Sequence, residues 1–223
     1  IGLKSGDKLI DVRLTDGNQD VIIGTRDGLA IRFHESQVRP MGRTALGVRG
    51  MQLNKGDRVI GMLVLRHTGT TIFVVTERGY GKRTALQEYR PTGRAGKGVI
   101  TVSTNEKIGK MIAIKETMES DDIVIVTSKG MIIRQHVKDI NVLGRNTQGV
   151  HLIRLEEGDT VADVAVVPAE EEEEAKNLIE KLETEKGSDE KREPKKVAEM
   201  ESGEKNGERA GRSKNSGKKS KRK

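Results

Sequence analysis

The feature that most constrains this chain is an internal repeat with a period of 51 residues, which covers the first 168 residues. Residues 20–50, 71–101 and 122–152 align without a gap. A repeat of this size is one supersecondary unit that buries its faces only by packing against its neighbours, so an array of similar units is predicted. The columns that are identical in all three units include Thr25, Thr76 and Thr127; Gly28, Gly79 and Gly130; Arg32, Arg83 and Arg134; Gly42, Gly93 and Gly144; Arg43, Arg94 and Arg145; Gly47, Gly98 and Gly149.

Each unit has the pattern of a β-hairpin. Residues 21–25, 72–76 and 123–127 are short apolar runs rich in β-branched side chains, which favour strands. Each run is followed by two polar residues and a glycine, which reaches the positive φ of a tight turn without a Cβ clash. Return strands are predicted over residues 29–33, 80–84 and 131–135.

A further strand links one hairpin to the next. Linking strands are predicted over residues 8–14, 58–65 and 110–116, and a last one, over 160–167, follows the third hairpin. No segment before residue 170 keeps apolar residues at helical spacing for three turns, so no helix is expected there.

A unit of 51 residues with about four strands has the size of a propeller blade. The predicted fold class is all-β: a β-pinwheel or propeller-like array of four-stranded blades. The expected boundaries are about 1–53, 54–104 and 105–155 for three blades and 156–168 for a closing strand. Because the chain begins in the middle of the pattern and three units are few for a ring, further units are expected upstream of Ile1.

The composition changes at Ala169. Residues 170–174 are all glutamate, and the remainder is rich in Lys, Glu, Ser and Gly, with few apolar residues and no aromatic one. Such a segment cannot bury enough apolar surface to offset its chain entropy, so residues 169–223 are predicted to be a disordered charged tail. Residues 205–223 are strongly basic, which leaves open a solvating tail, an arm that contacts nucleic-acid phosphates, or a segment that folds back on the glutamates.

The net positive charge belongs mainly to the repeats. The formal net charge of the chain is +7. By count, residues 169–223 hold 16 Lys and Arg against 15 Asp and Glu, so residues 1–168 carry +6. A basic balance points to polyanions as partners.

Several classes of function find no support in the sequence. The absence of cysteine excludes a disulfide framework, a thiolate metal site and a cysteine nucleophile. The four histidines lack metal-ligand spacing, and no phosphate-binding loop or nucleophile-elbow motif is present. No apolar stretch approaches 18 residues and no signal peptide is visible. We therefore expect no catalytic residue, metal, cofactor or membrane contact in this chain, and an intracellular location.

Arginine recurs with the repeat and supplies the candidate binding residues. Arg43, Arg94 and Arg145 each follow a glycine at the start of a loop, and equivalent positions in a ring of blades lie on one circumference. Basic side chains beside glycine-rich loops contact phosphates without reading sequence, so a track for double-stranded DNA is predicted. For the return-strand arginines, a structural role in tying one blade to the next is an open alternative. The predicted DNA-binding set is Arg32, Arg39, Arg43, Arg49, Lys82, Arg83, Arg90, Arg94, Lys97, Arg134 and Arg145.

Three runs resemble the family of carboxy-terminal domains from the A subunit of bacterial DNA gyrase. They are GYGKRTALQEYRPTGRAGKGV (79–99), VRPMGRTALGVRGMQL (38–53) and VLGRNTQGVHLIRL (142–155). The resemblance covers residues 1–168 and implies a six-bladed β-pinwheel in which neighbouring blades exchange a strand, this chain holding the last three blades. It also implies a domain that wraps DNA around its outer rim and presents a positively supercoiled segment for strand passage.

The resemblance implies activity only within a larger enzyme. The family's A subunit pairs with the ATP-hydrolysing B subunit in an A2B2 heterotetramer, a type II topoisomerase that supercoils DNA negatively, and ATP and Mg²⁺ act in that holoenzyme. A cytoplasmic, nucleoid-associated location is implied as well. The family's active-site tyrosine lies in the amino-terminal region of the A subunit, so neither Tyr80 nor Tyr89 inherits its role.

The sequence departs from the family at one motif. The Q-R-R-G-G-K-G heptapeptide belongs to the first blade and is missing here; residues 92–98 share only Arg94, Gly96, Lys97 and Gly98 with it. The alternatives are the A subunit of topoisomerase IV, whose related blades are fewer and more degenerate, and a non-enzymatic propeller that recognises proteins. The regular 51-residue match favours gyrase.

Overall fold

A computed structural model describes residues 1–169, which form antiparallel β-sheets with almost no helix, so the predicted all-β fold is confirmed. The predicted disorder of the tail beyond Ala169 lies outside the described residues. In the described part the strands are β1 (Asp20–Thr25), β2 (Leu29–His34), β3 (Val59–Val64), β4 (Thr71–Thr76), β5 (Tyr80–Ala85), β6 (Val99–Ile100), β7 (Met111–Thr117), β8 (Asp122–Thr127), β9 (Ile132–His136), β10 (Val150–His151) and β11 (Val161–Val167).

The three predicted hairpins are confirmed. β1 pairs with β2, β4 with β5, and β8 with β9, all antiparallel. The turn residues Gly28, Gly79 and Gly130 have φ values of 85°, 76° and 88°. Each donates its N–H to the carbonyl of the threonine three residues earlier, at 3.0 Å. A side chain with a Cβ is strained at this φ, which explains why every repeat has glycine here.

Each hairpin is completed by strands from the next repeat. The linking strand that follows it pairs with its first strand: β3 with β1, β7 with β4, and β11 with β8. A two-residue strand further along the chain pairs with its second strand: β6 with β2, and β10 with β5. The resulting sheets, with strand orders β3-β1-β2-β6, β10-β5-β4-β7 and β11-β8-β9, are called blades 1, 2 and 3. Neighbouring repeats therefore exchange strands, as the resemblance implied.

Two strand predictions need correction. Blade 3 has three strands instead of four, because the outer strand of the other blades comes from the following repeat and residues 137–169 supply none to β9. Residues 8–14, predicted as a linking strand, form no strand. In the other repeats this strand pairs with the first strand of the hairpin before it, and residues 8–14 make no such pairing within the described part of the chain.

The hydrophobic core lies between the blades, because the middle strands are apolar on both faces. Alternate side chains of β4 point to opposite sides of blade 2. Ile72 and Val74 pack in a cluster with Ile22 of blade 1. Phe73 and Val75 pack in a second cluster with Ile123 of blade 3. The continuous apolar run of β4 is therefore the signature of a strand between two neighbours rather than of a half-exposed one.

The blades have an inner and an outer edge. β3 packs against β7 and β7 against β11, so the linking strands form the inner edges. β6 and β10 form the opposite edges of blades 1 and 2. The loops 93–98 and 144–149 lead directly into β6 and β10, which places the glycine–arginine motif at the outer edge. Within residues 1–169, no helix is both long enough and apolar enough to cross a membrane.

Candidate nucleic-acid interface

Three equivalent segments follow the return strands, and we call them the first, second and third outer segments: residues 35–50, 86–101 and 137–152. Each begins with one turn of 3-10 helix and contains one glycine–arginine loop. The second lies along β2, where the N–H of Thr92 donates to the carbonyl of Arg32 at 2.8 Å. It therefore covers the outer edge of blade 1 and ends in β6.

The third outer segment covers blade 2 in the same way. The N–H of Leu143 donates to the carbonyl of Arg83 at 2.8 Å, and the Thr84 hydroxyl donates to the carbonyl of Leu143 at 2.8 Å. The segment ends in β10, which pairs with β5. The outer rim of blades 1 and 2 is thus made of chain from the following repeat.

Lys82 is buried beneath loop 144–149 and supports it. The residue is 0% exposed. Its ammonium group donates to the carbonyls of Gly144 and Arg145, at 2.5 and 2.6 Å, and to the Thr147 hydroxyl at 3.0 Å. Burial lowers the pKa of Lys82 to about 8, while Glu88 opposes this shift and Arg145 adds to it. The predicted phosphate contact of Lys82 does not fit its burial, because an ammonium group enclosed by protein oxygens has no access to DNA.

Arg83 is also enclosed by the next repeat. It is 3% exposed, and it donates from Nε to the carbonyl of Ile140 at 2.8 Å and from Nη2 to that of Lys138 at 3.3 Å. The phosphate contact predicted for Arg83 does not fit this position. Its role is the one that the sequence left as the alternative, tying one blade to the next.

The equivalents of Arg83 are more accessible. Arg32 is half-buried; it donates from Nε to the Asp20 carboxylate at 2.8 Å and from Nη1 to the carbonyl of Tyr89 at 3.0 Å. Arg134 is exposed on blade 3 and donates to the Asp122 carboxylate at 2.6 Å. Burial raises the pKa of Asp122, but hydrogen bonds from His136 and Arg134 outweigh this and lower it. Contact between phosphate and either arginine stays a prediction.

Arg94 connects the second outer segment to the first. Its N–H donates to Oε1 of Gln37 at 2.7 Å, and its guanidinium group donates to the carbonyls of Gln37 and Arg49. These acceptors are uncharged, so within residues 1–169 no carboxylate pairs with this half-buried guanidinium group at the outer edge.

Arg145 repeats this contact one blade further on. Its N–H donates to Oε2 of Glu88 at 3.0 Å, and its Nη1 donates to the carbonyl of Ile100 at 3.0 Å. Glu88 and Ile100 are the 51-residue equivalents of the groups that hold Arg94. The loop arginines therefore fasten consecutive outer segments into one continuous rim.

Five members of the predicted set are exposed on the first two outer segments. Considering contacts within residues 1–169, none of these five side chains makes a hydrogen bond or an ion pair. Their charge is available to a polyanion that lies along the outer edge. They are Arg39, Arg43 and Arg49 on the first outer segment, and Arg90 and Lys97 on the second.

The sequence interpretation missed the residues that hold the loop arginines. Gln37 and Glu88 accept the backbone N–H of Arg94 and Arg145. The available signal was the repeat itself, since Gln37, Glu88 and Asp139 form one column of hydrogen-bond acceptors. Across the described residues, no three His, Asp or Glu side chains come together in an arrangement that could hold a metal ion.

Sequence comparison finds relatives for the repeats. Residues 19–66, 70–117 and 121–168 match the family described as DNA gyrase C-terminal domain, beta-propeller. The chain is 46% identical over 173 residues to the A subunit of DNA gyrase from Staphylococcus epidermidis (strain ATCC 12228 / FDA PCI 1200), covering 77% of this chain and 19% of that relative. It is 46% identical over 169 residues to the A subunit of DNA gyrase from Haloquadratum walsbyi, covering 75% and 20%. The chain thus spans about a fifth of the length of these relatives.

Solved structures share the fold. The crystal structure of the C-terminal domain of DNA topoisomerase IV superimposes with a TM-score of 0.74 at 32% identity, over 80% of this chain and 56% of the other. A structure of the DNA gyrase A C-terminal domain gives a TM-score of 0.63 at 24% identity, over 67% and 51%. The second likeness concerns the fold alone.

Proposed function

The chain belongs to the DNA gyrase C-terminal domain family of β-propellers, and we propose that it binds double-stranded DNA along the outer edges of its blades and wraps it. The duplex contacts the outer segments through its phosphates, without reading its sequence. The residues that make these contacts are Arg39, Arg43, Arg49, Arg90 and Lys97. Arg94 adds to the positive field, and Arg145 adds less, because Glu88 Oε2 lies 3.9 Å from its Nε.

The observation that carries this proposal is the exposed charge on consecutive outer segments. Bending 20–30 base pairs costs about 1–6 kcal/mol, so a wrapping surface needs several phosphate contacts on a rigid support. The outer segments supply the contacts, and the hydrogen bonds of Arg94 and Arg145 between segments supply the rigidity.

The wider activity belongs to the whole protein of which this chain covers a part. We propose that two complete copies of that protein join two B subunits in an A2B2 type II topoisomerase. In that enzyme, ATP hydrolysis with Mg²⁺ drives negative supercoiling, and the present chain supplies no catalytic residue. The proposed location is the cytoplasm, on the nucleoid.

A second candidate is the equivalent domain of topoisomerase IV. The likeness to the solved C-terminal domain of that enzyme, at 32% identity over 80% of the chain, favours it. Relatives among the gyrase A subunits are 46% identical over a similar stretch, which favours gyrase. Wrapping that is strong enough to change the linking number of the bound DNA favours the gyrase domain, and its absence favours the topoisomerase IV domain. One experiment therefore addresses both candidates.

The test is the change in linking number on wrapping. Nicked plasmid is incubated with the chain and sealed with ligase, and its topoisomers are resolved after the protein is removed. We expect a positive shift that grows with the protein-to-DNA ratio. A quintuple variant, with glutamine at residues 39, 43, 49, 90 and 97, is expected to lose most of this shift.

A matched variant separates position from net charge. Glutamine at residues 4, 8, 55, 58 and 66 removes the same charge from positions that lie in residues 1–10 or flank the inner strand β3. This control is expected to retain most of the shift. Two results would contradict DNA binding along the outer edges. One is a quintuple outer-edge variant that shifts the linking number as much as the parent does, and the other is a control variant that loses the shift to the same extent.

A further inference from the structure

The second repeat is two residues longer than the others in one stretch. We call residues 51–58, 102–110 and 153–160 the first, second and third crossing segments, because each leads from an outer segment to a linking strand. The glycine that ends the glycine–arginine loop and the glycine before the linking strand are nine residues apart in the first and third repeats and 11 apart in the second. The extra length lies between Asn105 and Gly109 and brings in Lys107 and Ile108. The glycine pairs are Gly47 and Gly56, Gly98 and Gly109, and Gly149 and Gly158.

The inserted residues are held in a fixed position. Ile108 is fully buried and packs in the cluster of Ile22 and Ile72 between blades 1 and 2. Oδ1 of Asn105 accepts the N–H groups of Lys107 and Ile108, at 2.9 and 3.1 Å. The insertion is thus anchored at Ile108, while the Lys107 side chain is exposed and makes no hydrogen bond or ion pair within residues 1–169.

Lys107 lies over an aromatic ring that also contacts a histidine. Its Nζ is 5.7 Å from the ring centroid of Tyr80, within the distance of a cation–π contact. His151 of β10 lies directly opposite Tyr80 of β5, and the two ring centroids are 3.9 Å apart. Tyr80 is 9% exposed, whereas His151 and Lys107 are exposed. The ring therefore supports two exposed nitrogen-bearing side chains, and we call the three residues the Lys107 cluster.

Three departures from the repeat meet in this cluster. Lys107 belongs to the insertion. In the column of Tyr80 the other repeats have Leu29 and Met131, and in the column of His151 they have Arg49 and Ile100. The three residues of the cluster come from a crossing segment, a return strand and an outer strand. Packing alone does not require them, because blade 1 has four strands in the equivalent order without them.

The Lys107 cluster adjoins the outer edge of blade 2. His151 is in β10, the outer strand of that blade. The N–H of Ser103, in the second crossing segment, donates to the carbonyl of Thr147 in loop 144–149 at 3.3 Å. A polyanion that follows the outer segments over blade 2 therefore passes Lys107 and His151.

The outer edge of blade 2 carries less charge than that of blade 1. Asn141 and Gln148 of the third outer segment, both exposed and uncharged, stand in the columns of Arg90 and Lys97. The Lys107 cluster adds a positive charge beside this stretch, and an imidazole N–H in the cluster can donate to a phosphate oxygen. The cluster therefore supplies donors where the outer segment itself has fewer cations.

We propose that the Lys107 cluster binds a phosphate group of the duplex that passes over blade 2, an inference that rests on the proposed function. The ammonium group of Lys107 pairs with the phosphate as a point charge, and His151 donates a hydrogen bond to it. The ring of Tyr80 holds both side chains in place. The insertion thus provides at blade 2 a charge that the second outer segment presents at blade 1.

The first test is the salt dependence of binding to a fluorescent duplex, measured by anisotropy with the whole chain. Lys107→Gln should bind at least about twofold more weakly, with a slope of log affinity against log salt concentration shallower by about 0.9, the value for one phosphate. Lys107→Arg retains the charge and should keep the parent slope. Lys55→Gln is the matched control, because Lys55 is an exposed lysine of the first crossing segment, and it should keep the parent slope as well.

The second test reports position instead of affinity. The chain has no cysteine, so Lys107→Cys accepts an iron–EDTA group at a single place, and the radicals that this group generates cleave nearby DNA. The five exposed cations of the outer segments stay in place in this variant, so the duplex remains bound. We expect cleavage from residue 107 to be several-fold stronger than from Ser120→Cys, which lies in the exposed loop between β7 and β8 at the opposite end of the sheets from the hairpin turns.

Two results would overturn this inference while the proposed function stands. In the first, the parent binds duplex and the quintuple outer-edge variant does not, but Lys107→Gln keeps the parent affinity and slope or loses no more than Lys55→Gln does. In the second, the group at residue 107 cleaves the bound duplex no more strongly than the group at residue 120. A parent chain that binds no duplex would overturn both the inference and the proposed function.

Discussion

The ammonium nitrogen of Lys82 lies 2.5 Å from the carbonyl oxygen of Gly144, across the boundary between two repeats. The equivalent of Lys82 in the first hairpin is Ile31. Its Cδ1 would lie 3.6 Å from a Cβ atom added at Gly96, so it packs beneath the loop of the second outer segment. The same column of the hairpin therefore supports the following loop in both blades, once with an apolar side chain and once with a charged one.

Replacing Lys82 should destabilise the fold. Lys82→Met leaves the carbonyl of Arg145 without its donor within the described residues and removes one donor from Gly144, whose carbonyl keeps Thr147; an unsatisfied buried polar group costs about 1–3 kcal/mol. We expect a loss of this size in the free energy of unfolding, measured by urea denaturation. Lys55→Met, at an exposed lysine, should change stability by less than about 0.5 kcal/mol. Equal midpoints for the two variants would show that the buried contacts contribute nothing.

The stability that depends on Lys82 should rise with pH. Its pKa of about 8 lies below the usual value of about 10.4, so between these pH values the unfolded chain binds a proton that the folded chain does not. Stability therefore increases as pH rises through this window, by at most about 3 kcal/mol, and the cost of the buried charge is fully present below pH 8. Urea midpoints of parent and Lys82→Met should diverge from about pH 7.5 to about pH 10.5. Parallel curves would rule out the lowered pKa.

Substitution of Gly98 should destabilise the fold because another backbone lies close to it, whereas substitution of Gly93 in the same loop should not. Gly98 has a φ of 78°, and a Cβ atom added to it would lie 2.4 Å from the carbonyl oxygen of Ala30. A Cβ atom added to Gly93 would have no neighbouring atom within 4 Å. Gly98→Ala should cost about 2 kcal/mol or more, because strain at positive φ alone costs about 1–2 kcal/mol. Gly93→Ala should stay within about 0.5 kcal/mol. Thermal or urea unfolding that ranks the two equally would contradict the exchange of β6 into blade 1.

The return-strand arginines should differ in their effect on stability although they share one column. Arg83→Ala removes two hydrogen bonds to backbone carbonyls of the third repeat and should cost about 2–4 kcal/mol. Arg134→Ala removes an exposed side chain and, within the described residues, one of two partners of the buried Asp122 carboxylate, which keeps His136, and should cost about 1 kcal/mol, less than Arg83→Ala. Urea unfolding of both variants tests this order. A reversed order would indicate that Arg83 does not tie blade 2 to the third repeat.

The repeat alone was enough to predict the hairpins. Their turns depend on neighbouring residues, such as the glycine that ends each turn, and local signals of this kind are readable from sequence. The strand exchange between blades came with the family resemblance. The strand over residues 8–14 could not be judged this way, because it needs a partner hairpin that the pattern of the segment itself does not contain.

The burial of Lys82 was equally hidden. Lysine is almost never fully buried unless it is paired, and its partners are carbonyls and a hydroxyl 62–65 residues away, which no local pattern announces. Arg43 lies in a loop that the repeat pattern predicted, and the candidates Arg39 and Arg90 lie exposed on the same outer segments. Charge periodicity therefore located the candidate surface, and packing decided which of its members remain accessible.

The most direct test of the DNA-binding surface is the salt dependence of duplex affinity. The logarithm of the binding constant falls with the logarithm of salt concentration, with a slope of about −0.9 for each phosphate contact. For the variant with glutamine at residues 39, 43, 49, 90 and 97, we expect weaker binding and a slope shallower by about 0.9 for each phosphate that the removed side chains had neutralised. The control with glutamine at residues 4, 8, 55, 58 and 66 should keep the parent slope. Identical slopes and affinities for the parent and the outer-edge variant would contradict DNA binding at the outer segments.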